Sequence, residues 1–563
     1  MACIAAFLPL AVNAGSVYYV DFFGGVDTQA GSVSAPWQHC PGDVYTNVYH
    51  ALNPGDTVIF KGGVLYTNSI TNFWSGTAGS PITYDGNSAG TFGTGPAILD
   101  GQNRGNPNTQ ILVVISQQKY INWTNFVLQN AGGVNDASNN IVDYPYPPNS
   151  LPVIYGVGMN ILDSSNITVG GCLFQRFGYW SNGLPNNQTV SQNGWGLGFH
   201  SCRDCVAISN AFTKICWVGL IIDAAGFPAQ TMVSSNLLVA NCDFEHYMVW
   251  CSSISICGNN AVLTSITESN CAFHDYPEMW AGNWTGGGEA PHCDGIVGGV
   301  TGSFTGCICT NINVVANNFY WNGTNGGGTA YLFLTDVGGN WNVFNNVVKN
   351  AYNGEGDFYV QDASWPGQYV TPLVLNFFNN TFYDGGASIW VRWTNPDNGT
   401  DPGLGKINIE NNIFYATNTT QNAVSVLWHG SSNGPTVLDY NCYFNNSLWE
   451  WSHPGAIFDW VTNSGPWFTV PQLRALTNNY EAHGFYAEPL FASTLYGLGF
   501  LSSLNNVHLQ SGSAAIGAGT NLSSFFTTDK DGNPRPATEP WTIGAYQTAA
   551  GGTNFHGLFL KRP

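Results

Sequence analysis

Between Asn122 and Phe444 the chain repeats a short apolar run that closes on Asn and an aromatic residue. The clearest copies are Leu237–Phe244 (LLVANCDF), Ile312–Phe319 (INVVANNF), Leu375–Phe382 (LNFFNNTF), Ile407–Phe414 (INIENNIF) and Leu438–Phe444 (LDYNCYF). The closing marks run through Phe212, Phe244, Phe273, Phe319, Val347, Phe382, Phe414 and Phe444. Most steps are therefore roughly thirty residues, enough for three strands of about four to six residues with their corners. So short a run cannot bury both of its faces alone, and successive copies must stack into one core. The pattern predicts an all-β solenoid of roughly ten or more coils, its Asn residues at corners and its aromatics inside.

Each Asn-closed strand is preceded by another apolar strand, and these form a second ladder. Its members include Gly196–His200, Gly219–Asp223, Asp294–Val297, Tyr331–Asp336, Asp357–Asp362, Ile389–Arg392 and Val424–His429. Strict alternation sends Leu332, Leu334, Phe358, Val360, Ile389 and Val391 inward. It leaves Tyr331, Thr335, Asp357, Tyr359, Gln361, Trp390 and Arg392 outward. A sheet face carrying so many aromatic and polar side chains reads as a groove.

Two steps of the repeat are oversized, Phe126 to Phe174 and Phe273 to Phe319, and long insertions in a compact repeat tend to be functional. The second carries His274, Asp275, Glu278, Trp280, Glu289 and His292 directly before Asp294. Equivalent positions on adjacent coils lie about 4.8 Å apart, so a ladder can hold carboxyl pairs at the separations used for either retaining or inverting glycoside cleavage. Asp294, Asp336 and Asp362 lead as catalytic acids or bases, with Glu289 and His292 beside them. Close like charges raise the pKa of at least one member, which suits a general acid. The competing reading is that an Asp ending a strand caps its corner through backbone N–H groups. Arg392, Trp390, Tyr359, Gln361, Trp280, His274, Glu278 and His429 are the candidate substrate-binding residues. Aromatic faces suit the C–H faces of sugar rings, and a guanidinium suits a carboxylate or sulfate.

Composition narrows the partners. A solenoid extends one core along an axis, so 563 residues still fit a single domain. With 14 Lys and Arg against 34 Asp and Glu, the net charge of −20 argues against a nucleic-acid partner. Residues 1–14 are apolar and end in Val12-Asn13-Ala14, a secretory cleavage pattern, though no basic residue precedes the apolar stretch. No later stretch resembles a membrane span. The expectation is a secreted, extracellular or periplasmic monomer acting on a polysaccharide. The 14 cysteines include a CxxC at Cys202 and Cys205, read as disulfides plus buried thiols in preference to a metal site, and no cofactor is expected.

The ends carry a resemblance. Pro54–Gly63, Gly79–Tyr84 and Ala97–Gly101 alternate short strands with Gly and Asp turns; Ala514–Gly519, Asp529–Arg535 and Trp541–Tyr546 form a closing pattern. Together they resemble secreted right-handed parallel β-helix proteins of the pectate-lyase-like superfamily. That resemblance implies a right-handed parallel β-helix over 15–548, with N-terminal cap coils at 15–110, central coils at 111–450 and C-terminal coils at 451–548, followed by a tail at 549–563. It carries over no catalytic residue, because the polygalacturonase motifs Asn-Thr-Asp, Asp-Asp, Gly-His-Gly and Arg-Ile-Lys are absent, as are the Arg-Pro and Trp-x-Asp-His signatures of pectate lyases. Three functions follow: a glycoside hydrolase first, then a uronate lyase in which Arg392, Lys349 or Lys214 and a carboxylate-bound Ca2+ would matter, and lastly a non-catalytic glycan-binding or surface protein.

Overall fold

The computed structural model describes residues 15–44, 50–102, 111–132, 156–177, 194–215, 217–225, 232–245, 250–274, 294–300, 304–320, 330–349, 356–361, 368–383, 387–392, 405–416, 424–429, 434–445, 453–460, 466–492, 506–538 and 540–548. They form a right-handed parallel β-helix of three sheets with 13 strands each. Each coil gives one strand to each sheet. Val206–Ile208 belongs to what we call the first sheet, Gly194–His200 to the second and Ala211–Ile215 to the third; Val233–Ala240, Val218–Ala225 and Asp243–Glu245 are their partners in the next coil. All pairings between named strands are parallel except Ala456–Trp460 with Trp467–Thr469. Val470–Arg474 is the one helix among the described residues, and no helix there is long and apolar enough to cross a membrane.

The repeat sets the core directly. Phe174, Phe212, Phe244, Phe273 and Phe319 stack ring on ring with centroids 4.7–5.0 Å apart, and the stack resumes at Phe382, Phe414 and Tyr443. Two closing marks shift by one residue. Val348, not Val347, pairs with Phe319, and Tyr443, not Phe444, pairs with Phe414. The missing ring at Val348 is replaced by Phe358, which packs edge-on against both Phe319 and Phe382.

The Asn residues divide into two roles. In Asn345-Asn346, Asn379-Asn380 and Asn411-Asn412 the first residue turns the corner in the left-handed region, with φ of 57°, 51° and 59°. Asn tolerates that conformation better than other side chains. The second is buried and joins a ladder along the axis. The backbone N–H groups of Cys271, Asn317, Asn346, Asn380 and Asn412 each donate to the side-chain oxygen of the Asn one coil further on, at 2.9–3.0 Å. Glu481 ends the ladder beyond Asn441.

Beyond Tyr486 the chain adds no strand to the three sheets among the described residues. Instead it lies across the corner made by the left-handed Asn residues. Asn345 donates to the carbonyl of Thr528, Asn379 to those of Thr542 and Gly544, and Asn411 to that of Thr520. Buried Arg535 donates to Asn345 and to the carbonyls of Thr542, Gly544 and Ala545, with its guanidinium over the Trp541 ring. Lys530 donates to the carbonyls of Ala316 and Asn317.

Alternation along the second sheet holds for Leu332, Leu334, Phe358, Val360, Ile389 and Val391, all in the core. It fails at Tyr331, which packs inside against Phe319 beside inward-facing Leu332. The equivalent position five coils earlier is Gly158, where an added Cβ would meet the core rings of Phe174 and Phe177. Two successive residues thus face inward where each strand enters this sheet, a local break of the period. Asp357, in register with Tyr331 through the bond from the Tyr331 N–H to its carbonyl, is fully buried as well.

The eleven described cysteines are buried apart from Cys257, which is half-buried; Cys202 and Cys205 lie in the core 3.2–3.4 Å from backbone carbonyls of their own turns. Among the described residues no three His, Cys, Asp or Glu side chains gather as a metal site.

Candidate functional site

The second sheet buries one face in the core and turns the other outward. Trp195, Trp217 and Trp250 follow one another across its N-terminal coils with centroids 5.9–6.0 Å apart. Phe333, Tyr359 and Trp390 continue the aromatic cover on later coils. Between them the face carries buried polar atoms with no hydrogen-bond partner among the described residues: Asn160 Oδ1, His200 Nε2, Asp223 Oδ1, Trp250 Nε1, Trp390 Nε1 and Asp459 Oδ1. Unpaired buried polar atoms also occur off this face, at Tyr84 Oη and Trp123 Nε1 in the core, so what sets the face apart is the company its unpaired atoms keep with exposed-side rings.

Four of the expected substrate-binding residues come together here. Tyr359, Trp390 and the strand Val426–His429 occupy successive coils, and Trp390 lies 4.9 Å from the Tyr359 ring and edge-on to His429 at 5.6 Å. Arg392, in register with His429, donates to the Tyr359 hydroxyl at 3.3 Å. Tyr359 is itself fully buried, packed with Val297, Ala330, Phe333 and Trp390, so its hydroxyl steadies Arg392 from beneath. Asp459 completes the group: 1% exposed, it sits 3.7 Å from His429 Nε2, at ion-pair range. Gln361 is half-buried at the end of the neighbouring strand, its N–H bonded to the Leu334 carbonyl.

The carboxylates do not assemble as expected. Asp294 opens the strand Asp294–Val300 in register with Ala330, whose N–H it accepts at 2.9 Å. Asp336 follows the far end of the strand Ala330–Thr335 in a left-handed corner with φ 47°. The two therefore stand at opposite ends of adjacent strands, roughly 20 Å apart at about 3.3 Å per residue, and cannot share one glycosidic bond. His274 belongs to the third sheet, not the second; it bonds Asp243 at 2.9 Å and stacks on Tyr320. Trp428, next to His429 on its strand, lies in the core. Asp362, Glu289, His292, Trp280 and Glu278 lie outside the described residues.

Sequence reasoning missed the two His–Asp contacts of this face, His429–Asp459 and His200–Asp223. The signal was present in the ladder: His200 and Asp223 close equivalent runs of the sequence, and the structure sets them in register. A carboxyl pair one coil apart also exists, Glu410 and Asp439, but on the first sheet. Burial first, and then the Asp439 charge, push Glu410 up to about 7, while Asp439 is held by His483 at 2.8 Å.

No protein-family model matches the chain, and no curated protein matches it. Among solved structures it is similar to pectate lyase Pel9A, at 14% identity over 95% of this chain and 97% of that one, with a TM-score of 0.44. It is similar to the surface adhesin PfbA of Streptococcus pneumoniae at 13% identity, over 68% and 88%, with a TM-score of 0.40. It is similar to GH136 lacto-N-biosidase from Eubacterium ramulus at 12% identity over 76% of this chain, and spans only 64% of that protein's length, with a TM-score of 0.37. These likenesses concern the fold alone, and the fold is the right-handed parallel β-helix.

Proposed function

We propose that this chain is an extracellular carbohydrate-active protein that seats a glycan along the outer face of its second sheet and cleaves it at the Tyr359–Trp390–Arg392–His429–Asp459 cluster. The observation that carries the reading is the line of unpartnered buried polar atoms beside indole and phenol rings. A sugar offers hydroxyls that both donate and accept, together with C–H faces that stack on rings.

Elimination from a uronate fits the cluster best. Arg392 would hold and neutralise the carboxylate, which acidifies the adjacent C–H, and His429 beside Asp459 would take that proton as the C–O bond to the leaving sugar breaks. The net charge of −20 opposes a polyanion at long range but is screened beyond about 8 Å at physiological salt, leaving the local guanidinium to act. Hydrolysis is the second reading, favoured by Asp459, a deeply buried carboxyl facing the same cluster. Under it Asp294 and Asp336 serve as separate candidates, with Asp362, Glu289 and His292.

A panel of acidic and neutral polysaccharides tests both. Unsaturated, ultraviolet-absorbing ends lost in Arg392→Ala support elimination, and new reducing ends without that absorbance support hydrolysis. Binding without cleavage would leave a glycan-binding surface protein; neither binding nor cleavage of any glycan would end the carbohydrate reading.

A further inference from the structure

A second group of unpartnered atoms lies at the other end of the same face. The strand Gly194–His200 is six strands away from Ile389–Arg392 in the sheet order, roughly 29 Å at about 4.8 Å per strand. There His200 Nδ1 meets Asp223 Oδ2 at 2.9 Å, with both side chains less than a tenth exposed. That contact orients the imidazole, and in the neutral ring it directs Nδ1–H at the carboxylate and leaves Nε2 as an acceptor. Neither Nε2 nor Asp223 Oδ1 has a hydrogen-bond partner among the described residues, and the same holds for Asn160 Oδ1.

Register places these residues on three neighbouring strands. Asn160 is in register with Gly198, two residues before His200 on the next strand. A Cβ at Gly198 would stand 2.4 Å from His200 Nε2 and 3.0 Å from Trp195 Nε1, so both ring nitrogens lean over the one position that carries no side chain. Trp217 continues the ring surface beside Trp195.

We propose that Asn160, His200 and Asp223, with the Trp195 ring, form a second saccharide site that takes a neutral sugar unit. Three acceptors call for a ligand rich in donors, which vicinal hydroxyls supply. A uronate is disfavoured by the Asp223 carboxylate, and a metal by the lack of three suitable side chains among the described residues. The site rests on the reading of this face as a glycan surface, and its chemistry differs from that of the Arg392 cluster.

The test is calorimetric titration of the full chain with neutral hexa-oligosaccharides of glucose, xylose and galactose, and separately with oligo-uronates. At least one neutral oligosaccharide should bind and quench tryptophan fluorescence, and its affinity should fall roughly tenfold, the worth of one good hydrogen bond, in Asp223→Asn and in Asn160→Leu. Arg392→Ala should leave it unchanged while weakening oligo-uronate binding, so failure of either site is seen separately. Melting temperatures identify a variant that has merely lost its fold; Gly198→Ala, whose methyl displaces the imidazole, then serves as the substitute. The proposal is overturned if no neutral sugar binds, if the variants bind as the parent does, or if a crystal grown with the sugar holds only water at His200 Nε2.

Discussion

Glu481 accepts the side-chain amide of Asn441 at 2.7 Å and closes the asparagine ladder with a fully buried carboxyl. Tyr443 donates to the same oxygen at 2.6 Å. Burial outweighs these donors and pushes the group from its ordinary 4.5 up to about 8.

The sign of its pH effect follows. Between 4.5 and 8 the folded chain keeps a proton that the unfolded chain has released. The stabilising contribution is therefore complete below about pH 4.5 and is lost as the pH rises through 8. Glu268, pushed up to about 7 by burial, adds the same slope. Urea midpoints should fall from pH 5 to pH 9, and less steeply in Glu481→Gln. Equal slopes in the two proteins would refute the assignment.

The two Asn roles predict opposite tolerance. Asn317→Ala removes the acceptor of the Cys271 N–H and the donor to the Glu268 carbonyl, both buried, and should cost about 2–4 kcal/mol. Asn270 is exposed at φ 52°, a conformation glycine adopts freely, so Asn270→Gly should change stability by less than about 1 kcal/mol. Denaturant titration of the two variants decides the matter; comparable losses would mean that the corner conformation, not the ladder, sets the cost.

Arg392→Lys keeps the charge but loses the planar fork. Oligo-uronate affinity should drop roughly tenfold with little change in melting temperature, because Arg392 is half-buried at the edge of the face. Parent-like affinity would show that only charge is read there.

Arg535→Met should lower the melting temperature by several degrees, since its guanidinium donates to carbonyls of the closing segment and to Asn345. Hydrogen exchange should quicken at Asn345, Asn379 and Asn411 before it does at Phe174 or Phe212. Uniform quickening would indicate that the closing segment is not a separate clamp.

Much of this architecture was legible from periodicity. The Asn-aromatic runs mark the corner that leads into the third sheet and the core stack, because a ring in the core and an Asn at a turn are each forced by local chemistry. The register of Val348 and Tyr443 was not legible, since Val347-Val348 and Tyr443-Phe444 offer two apolar residues to one slot. The site was harder. Strict alternation sent Tyr331 outward, and only the paired inward positions at each strand's entry correct it. Asp294 and Asp336 looked equivalent because both flank apolar strands, although one opens its strand and the other follows the end of the next. The Arg392–His429 neighbourhood survived because both residues end their strands in the same phase.

Residues 520–544 hold corners formed by residues 345–411, more than a hundred positions upstream. A nascent chain on the ribosome can stack those coils one by one, but their outer corner must wait, open to water and to proteases, until the clamp has been translated. Any truncation before Thr520 should leave a helix that is wound and yet unlocked along its middle.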